Sequence, residues 1–379
     1  MRCLGLMSGT SADGVDAVLA EFKGSSRQPR WSLLQHQFIP YPATLQERIV
    51  RAGQGDPLAA EDWLELSESI TEVQANAAEA CDPAASAALV GCHGQTMWHR
   101  PPSQERRGAS WQLLQAPLLA RLLNRPVVHD FRAADLALGG QGAPLVPRAD
   151  AALLGGIDGW RGLLNLGGIA NITLIPPRDG PDRHAQVLGW DCGPANSLID
   201  LAVHRFSQGR LGIDQDGAMA AAGSCLEQTV QGWLQHPYLQ AIPPKSTGRE
   251  LFGAQDLEQR LSQLDGHSAS DVVATLTGFT AALVAQDLEQ LRSREGISPL
   301  ELVVAGGGRR NPVLMQELRQ RCRGLQLRSS DELGLPAEAR EALVFALLAW
   351  WHLRLHPANA PAITGAQRET ILGVLVHPM

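Results

Sequence analysis

The 379-residue chain has no CxxC pair and no cysteine spaced from histidine as in a zinc finger, so it lacks the usual sequence signs of a structural metal. Its six cysteines, at positions 3, 81, 92, 192, 225 and 322, read as reduced thiols. Basic charge is in short supply: 32 Lys and Arg stand against 39 Asp and Glu, a net charge of −7. That argues against nucleic acid or an anionic membrane as a partner, since both call for a basic face. The longest apolar run, Ala342 to Trp351, falls well short of the roughly 20 residues a membrane span requires. The first residues carry one basic side chain and no sustained apolar stretch, so no signal peptide is expected and the location is expected to be cytoplasmic. Aromatics are sparse at 5% and charged residues make up 19% against 44% hydrophobic, the balance of an ordinary globular protein. At about 100 to 200 residues per domain, two or three domains are expected.

What is present begins with a hairpin. Cys3 to Met7 and Val15 to Phe22 read as strands around a loop from Ser8 to Asp16 that is rich in small and acidic residues. Gly9 and Gly14 allow close backbone approach, and Ser8, Thr10 and Ser11 add hydroxyls beside a run of N–H donors. Such a tip suits a phosphate. Asp13 and Asp16 would repel bare polyphosphate, so the loop makes chemical sense with a cation such as Mg²⁺ between them. An ordinary glycine-rich turn capped by Asp and Ser is the alternative.

Further along, Trp31 to Ile39 reads as a strand, and Ala43 to Ala52 and Glu61 to Ala80 as helices. A buried strand, Ala87 to Gly91, leads into polar residues that include His93, Gln95, Thr96 and His99, placed where α/β proteins bind ligands. His93 could bind a ligand or sit satisfied in the core, and the core is the better expectation for His99. Arg100 to Ser110 reads as a surface loop, Leu113 to Leu123 as a helix, and Pro126 to His129 as a strand ahead of Arg132 and Asp135. Gly139 to Pro144 is expected to be an ordered loop near a ligand.

The opening theme then repeats: strand Gly162 to Leu166, tip Gly167, Gly168, Ile169, Ala170 and Asn171, strand Ile172 to Ile175. Strand Gln186 to Trp190 ends at Asp191, ahead of a helix from Ser197 to Ser207, so Asp191 reads as pointing into a cleft or as that helix's N-cap. Asp216 to Trp233 reads as helical, and Lys245 and Arg249 as loop cations that could touch phosphate, with solvation of the loop the better expectation. Helices follow at Ala254 to Leu264 and Ser270 to Arg292. Strand Glu301 to Ala305, glycines Gly306, Gly307 and Gly308, then Asn311 and a helix from Val313 to Arg321 form an opening of nucleotide size. Three glycines in a row suggest backbone contact with a flat ligand such as adenine. A helix at Ala337 to His352 and a strand at Ile371 to Val376 close the chain.

In this order the loops resemble the sugar kinase, hsp70 and actin superfamily. The strings MSGTSADGVDAV (Met7 to Val18), CHGQTMWHRP (Cys92 to Pro101), DFRAADLALGGQGAPLVP (Asp130 to Pro147), LNLGGIANIT (Leu164 to Thr173), DCGPANSLID (Asp191 to Asp200) and GGGRRNPVLM (Gly306 to Met315) resemble the anhydro-N-acetylmuramic acid kinase family. The resemblance implies an α/β fold of two ribonuclease H-like domains with an interdomain ATP cleft, one domain from 1–128 plus 354–379 and the other from 129–353. It implies an ATP- and Mg²⁺-dependent enzyme of cell-wall recycling that opens the 1,6-anhydro bridge of an amino sugar with water and phosphorylates O6. A plain sugar kinase without ring opening and a non-enzymatic actin- or hsp70-like ATPase are the alternatives.

Carried over residue by residue, Asp191 is the base. Gly9, Thr10, Ser11, Ala12, Asp13, Gly14, Val15 and Asp16 form the first phosphate loop, with Asp13 or Asp16 reaching Mg²⁺. Gly167, Gly168 and Asn171 form the second phosphate loop, and Gly306, Gly307, Gly308 and Asn311 the adenosine turn. His93, Gln95, Thr96, Arg132 and Asp135 are the candidate sugar contacts, with Arg132 for a carboxylate unless it pairs with Asp130 or Asp135. Cys192 stands where the family often has Thr. A homodimer is implied by the family alone.

Overall fold

The computed structural model describes every residue except Thr10, Ser11, Gln104, Pro244, Arg249 and Met379. The strands β1 (Arg2–Ser8), β2 (Gly14–Gly24) and β3 (Pro29–Pro40) pair antiparallel in succession. β4 (Leu89–Arg100) joins β1 in parallel, β5 (Ala109–Leu113) pairs antiparallel with the outer half of β4, and β6 (Val127–His129) lies parallel to its inner half. In the second sheet β7 (Arg161–Leu166), β8 (Ile169–Ile175) and β9 (Leu188–Pro194) are again successive and antiparallel. β10 (Glu301–Ala305) lies parallel to β7, and β11 (Gln326–Ser329) parallel to β10. β12 (Val374–Val376) returns to the first sheet beside β6. The orders β3-β2-β1-β4-β6 and β9-β8-β7-β10-β11 carry the same directions. One ribonuclease H-like α/β fold thus occurs twice, and the repeat seen at the two hairpins extends to five strands of each sheet, with β5 and β12 additional in the first.

The chain divides into one unit of residues 1–155 and 338–379 and another of residues 156–337. The boundaries expected at 128 and 354 fall inside the first unit, for two reasons. β6 is hydrogen-bonded between β4 and β12, and the helix Arg340–Leu353 lies on β1, β2 and β4.

Alternation along the strands builds the first unit. Leu4, Leu6, Val90 and Cys92 point to one face and pack with Leu66, Ile70 and Ala77 of the helix Ala60–Cys81. Gly5 and Gly91, paired across β1 and β4, point to the other face. A methyl group on Gly5 would overlap the Ala342 carbonyl, and one on Gly91 the Phe345 carbonyl. The two glycines therefore form a trough in which the helix backbone rests. Gly91→Ala is expected to cost about 3 kcal/mol, read as a lower denaturation midpoint for the first unit; an unchanged midpoint would mean that the helix can yield.

In the second unit the helix Ala269–Glu295 packs on β9 and on the helices Asn196–Phe206 and Pro312–Arg321. This helix is long and apolar enough to cross a membrane, yet 72% of its most apolar window is buried within the protein, as for a core helix.

Three local expectations change. Cys92 to His99 are strand rather than loop: β4 continues to Arg100 because β5 takes over as its partner where β1 ends, and the next helix starts only at Ala116. His99 is exposed on that strand instead of being a core histidine. Residues 216–233 form two short helices, Ala218–Ala221 and Glu227–Trp233, the first starting after Gly217 at φ 67°.

Candidate functional site

In the first unit the β1–β2 tip is held from inside. The Ser8 hydroxyl lies 2.9 Å from the Gly14 carbonyl oxygen and 2.5 Å from Gln95 Oε1, while Gln95 Nε2 donates to the Gly9 carbonyl at 3.0 Å. Gln95, expected to meet a sugar, is thus engaged in bracing the β1–β2 tip. Ala12 and Val15 are buried in the core and could meet a ligand only through their backbone. Asp13 is exposed at the tip, and Asp16, partly exposed on β2, has Oδ1 2.9 Å from His36 Nε2. Thr10 and Ser11 lie outside the described residues.

A second cluster grows from β4. His93 Nδ1 lies 3.0 Å from the Gly94 carbonyl oxygen, which can only accept, so Nδ1 carries the proton. Nε2 is then an acceptor for Arg132 Nη2 at 3.0 Å. Burial, with Arg132 alongside, pushes the His93 pKa down to about 3, so the ring stays neutral and keeps that role. Arg132 Nη1 donates to the Gly142 carbonyl at 2.7 Å. Its Nε is buried without a hydrogen-bond partner, and it forms no ion pair with Asp130, Asp135 or any other acid among the described residues. Burial lowers its pKa to about 10, leaving it a cation at neutral pH. A buried cation braced by two neutral acceptors suits an anionic ligand.

Asp135 plays a different part from the one expected. Fully buried, it accepts hydrogen bonds from Gly142 N–H at 2.8 Å, Asn359 Nδ2 at 2.9 Å and the Thr364 hydroxyl at 2.8 Å. It fixes the Gly139–Gly142 loop from behind and does not reach outward. Thr96 accepts from Gln112 Nε2 at 3.3 Å across the β4–β5 pair. Glu341, which no motif pointed to, lies in the first turn of the helix Arg340–Leu353. Burial pushes its carboxyl pKa up, Arg340 and Arg132 pull it down, and Asp150 and Asp16 raise it. An acid at the head of an otherwise apolar helix was the available signal.

In the second unit the second hairpin meets Asp191 directly. Asn171 of β8 stands opposite Asp191 of β9. A bulge there sets Gly193 against Ala170, so that Cys192 has no partner across the ladder. Asp191 therefore lies within β9 and is no N-cap; the cap position of the next helix is Ala195. That helix start is covered by the hairpin tip, since the N–H groups of Asn196 and Ser197 donate to the carbonyls of Gly167 and Gly168 at 3.0 and 3.1 Å.

The Asp191 carboxylate is held asymmetrically. Its Oδ2 accepts from the Ser246 hydroxyl and the Thr247 N–H, both at 3.0 Å, while Oδ1 accepts no hydrogen bond among the described residues. Burial raises its pKa; the two donors and Lys245 work against that rise and Glu250 adds to it. Lys245 is not the solvated cation expected of its loop but is buried against Asp287. Arg249 lies outside the described residues.

At the glycine turn, a side chain on Gly306 would strike the Leu166 backbone, and one on Gly308 the Leu166 side chain. Two of the three glycines are thus required by packing against the second hairpin, and only Gly307 is exposed. Asn311 caps the helix Pro312–Arg321, its Oδ1 accepting from Val313 and Leu314 N–H at 3.0 and 3.1 Å, the geometry of a strong N-cap.

The family pattern for anhydro-N-acetylmuramic acid kinase matches residues 1–378. The chain is 71% identical over 379 residues to the anhydro-N-acetylmuramic acid kinase of Synechococcus sp. strain CC9902 and 68% identical over 378 residues to that of Prochlorococcus marinus strain MIT 9303, each match covering both chains in full. A solved ROK family glucokinase from Streptomyces griseus, in complex with glucose and AMPPNP, is similar over 92% of this chain and 99% of its own, with 15% identity and a TM-score of 0.38. By its full-length family match and these identities, the chain belongs to the anhydro-N-acetylmuramic acid kinase family.

Proposed function

We propose that this kinase opens the 1,6-anhydro bridge of anhydro-N-acetylmuramic acid with water and transfers the γ-phosphoryl group of ATP to O6, giving N-acetylmuramic acid 6-phosphate and ADP. The observation that carries this reading is the Asp191 carboxylate, with one oxygen held by two donors and the other accepting no hydrogen bond among the described residues. Water is a poor nucleophile and an acetal carbon a poor electrophile, so a base is needed at the attack on C1. Asp191 Oδ1 takes the water proton as the C1–O bond forms. The C1–O6 bond breaks, and O6 places its electron pair on the transferred phosphorus as ADP departs. Phosphoryl transfer thereby replaces the carboxylic acid that a glycosidase uses to protonate its leaving group. Burial, which raises the Asp191 pKa, makes it a stronger base than a free aspartate.

In the first unit, the N–H groups at the Ser8–Asp16 tip bind phosphate and Gln95 keeps the loop in shape. Arg132 takes the lactyl carboxylate, which matches its unpaired Nε and the absence of a direct ion pair among the described residues. The described residues form no cluster of three or more potential metal ligands, and Asp16 is partly engaged by His36. A pair of acids suits Mg²⁺, which binds through one or two carboxylates together with substrate phosphates and water. Asp13 and Asp16 would hold it, and when bound it offsets phosphate charge. A cytoplasmic location, where ATP is supplied, a role in recycling peptidoglycan sugars and the homodimer that the family implies belong to the same proposal.

The test is turnover in H₂¹⁸O with the anhydrosugar. One ¹⁸O at C1 of the product is expected by mass spectrometry. An unlabelled C1 would mean phosphorylation of a free hydroxyl without ring opening.

A further inference from the structure

Lys245 is one of only two lysines in the chain. Its Nζ lies 2.8 Å from Asp287 Oδ1, with both side chains 3% exposed. Asp287 Oδ2 accepts the Trp190 indole N–H at 2.7 Å, and the ammonium sits 5.3 Å from the Tyr238 ring centre. Each of these groups is also tied to Asp191. Trp190 precedes it in β9, the Tyr238 hydroxyl donates to its carbonyl at 2.7 Å, and its own N–H donates to the Lys245 carbonyl at 3.1 Å. Ser246 and Thr247, which hold Asp191 Oδ2, directly follow Lys245.

A buried ion pair is a poor stabilising device, because desolvation offsets most of the attraction. As a tether with fixed direction it is effective, since neither charge can be left alone. We propose that Lys245 and Asp287 are positioning residues for the base: their ion pair fastens the 245–247 segment to the helix Ala269–Glu295, keeping the Ser246 and Thr247 donors on Asp191 Oδ2 and leaving Oδ1 to take the proton. This inference rests on the reading of Asp191 as the base. It gives the loop a catalytic purpose that the hairpins and the glycine turn do not supply.

The groups that act on Asp191 are Lys245, which favours its ionised form, and Glu250, which disfavours it; Tyr238, Cys192 and Asp287 stand close by. Removing the tether therefore removes a cation and loosens two donors, and both changes disfavour the carboxylate.

The test compares Lys245→Met/Asp287→Asn, which leaves no unpaired buried charge, with Asp287→Asn alone, which leaves the cation. Thermal unfolding confirms that each variant is folded. For the double variant kcat is expected to fall about tenfold, the acid limb of the kcat–pH profile to move upward by about one unit, and the KM for ATP to stay within about twofold. For Asp287→Asn alone the acid limb is expected to move downward, because Lys245 loses its partner and acts more fully on Asp191. A double variant with a lower melting temperature but an acid limb at the wild-type position would overturn the inference and leave the pair a purely structural element. Asp191→Asn in the same series separates the two readings. If that variant turns over normally, the base assignment fails; if it is inactive while the double variant's profile is unmoved, only the tether fails.

Discussion

Asp191→Asn is expected to lower kcat by about 10² to 10⁴-fold, the range for loss of a general base, while nucleotide affinity by calorimetry changes less than about twofold. The amide is isosteric, and its carbonyl oxygen can still accept from the Ser246 hydroxyl and Thr247 N–H, so the loop keeps its shape and only the proton acceptor is lost. The wild-type kcat–pH profile should carry an acid limb at a higher pH than a free aspartate would give, because burial raises the Asp191 pKa. Activity is then lost as pH falls through that raised value. The same burial fixes the sign of a stability effect. A carboxylate whose folded pKa lies above its unfolded pKa destabilises the fold when ionised, fully so above the folded value and not at all below the unfolded one. Asp191→Asn is therefore expected to melt no lower than wild type at pH 7. A variant that is inactive but melts much lower would point to a structural defect, and near-normal kcat would refute the assignment.

Arg132→Met is expected to lower kcat/KM for the sugar about 100-fold, the scale of a lost charge-assisted pair with a carboxylate, with the KM for ATP little changed. Arg132→Lys should recover little of this. An ammonium cannot span the positions held by Nη1 on Gly142 and Nη2 on His93 while offering a third donor. Replacing Arg132 with Met leaves the His93 Nε2 and Gly142 carbonyl acceptors without their donor and Glu341 without one of its two cations, so the variant is expected to lose about 1 to 3 kcal/mol of stability. If the KM for ATP rose instead while the KM for the sugar held, Arg132 would belong to the phosphate side of the reaction.

Backbone-driven features of the fold were legible in the sequence, and features that depend on a distant partner were not. The two hairpin tips could be read because glycine, hydroxyl and acid residues between alternating strands mark a turn by themselves. Asp191 could be placed on a strand because it follows an apolar run, although β9 continues past it to Pro194. Gln95, Asp135 and Asn311 were visible as polar residues near candidate loops, but each is engaged internally, by Ser8 and Gly9, by Asn359 and Thr364, and by the helix it caps. A sequence displays a donor or acceptor without showing what it bonds. Lys245 was misread for the same reason: its counter-charge, Asp287, lies 42 residues on within a helix. Glu341 was hidden by the apolar residues around it. The extension of β4 was missed because it depends on β5, whose short run of Ala109 to Leu113 gives little periodicity of its own.

The trough formed by Gly5 and Gly91 also bears on the order of synthesis. Its occupant, the helix Arg340–Leu353, leaves the ribosome 240 residues after β4, a count that follows from Arg100 and Arg340. Throughout that interval the nascent first sheet has one apolar face without its cover. The second unit, residues 156–337, is continuous in the chain and complete before the helix is made. The second unit can therefore fold before the first is complete, and the Gly5–Gly91 face of the first sheet is covered only once residues 340–353 have been made.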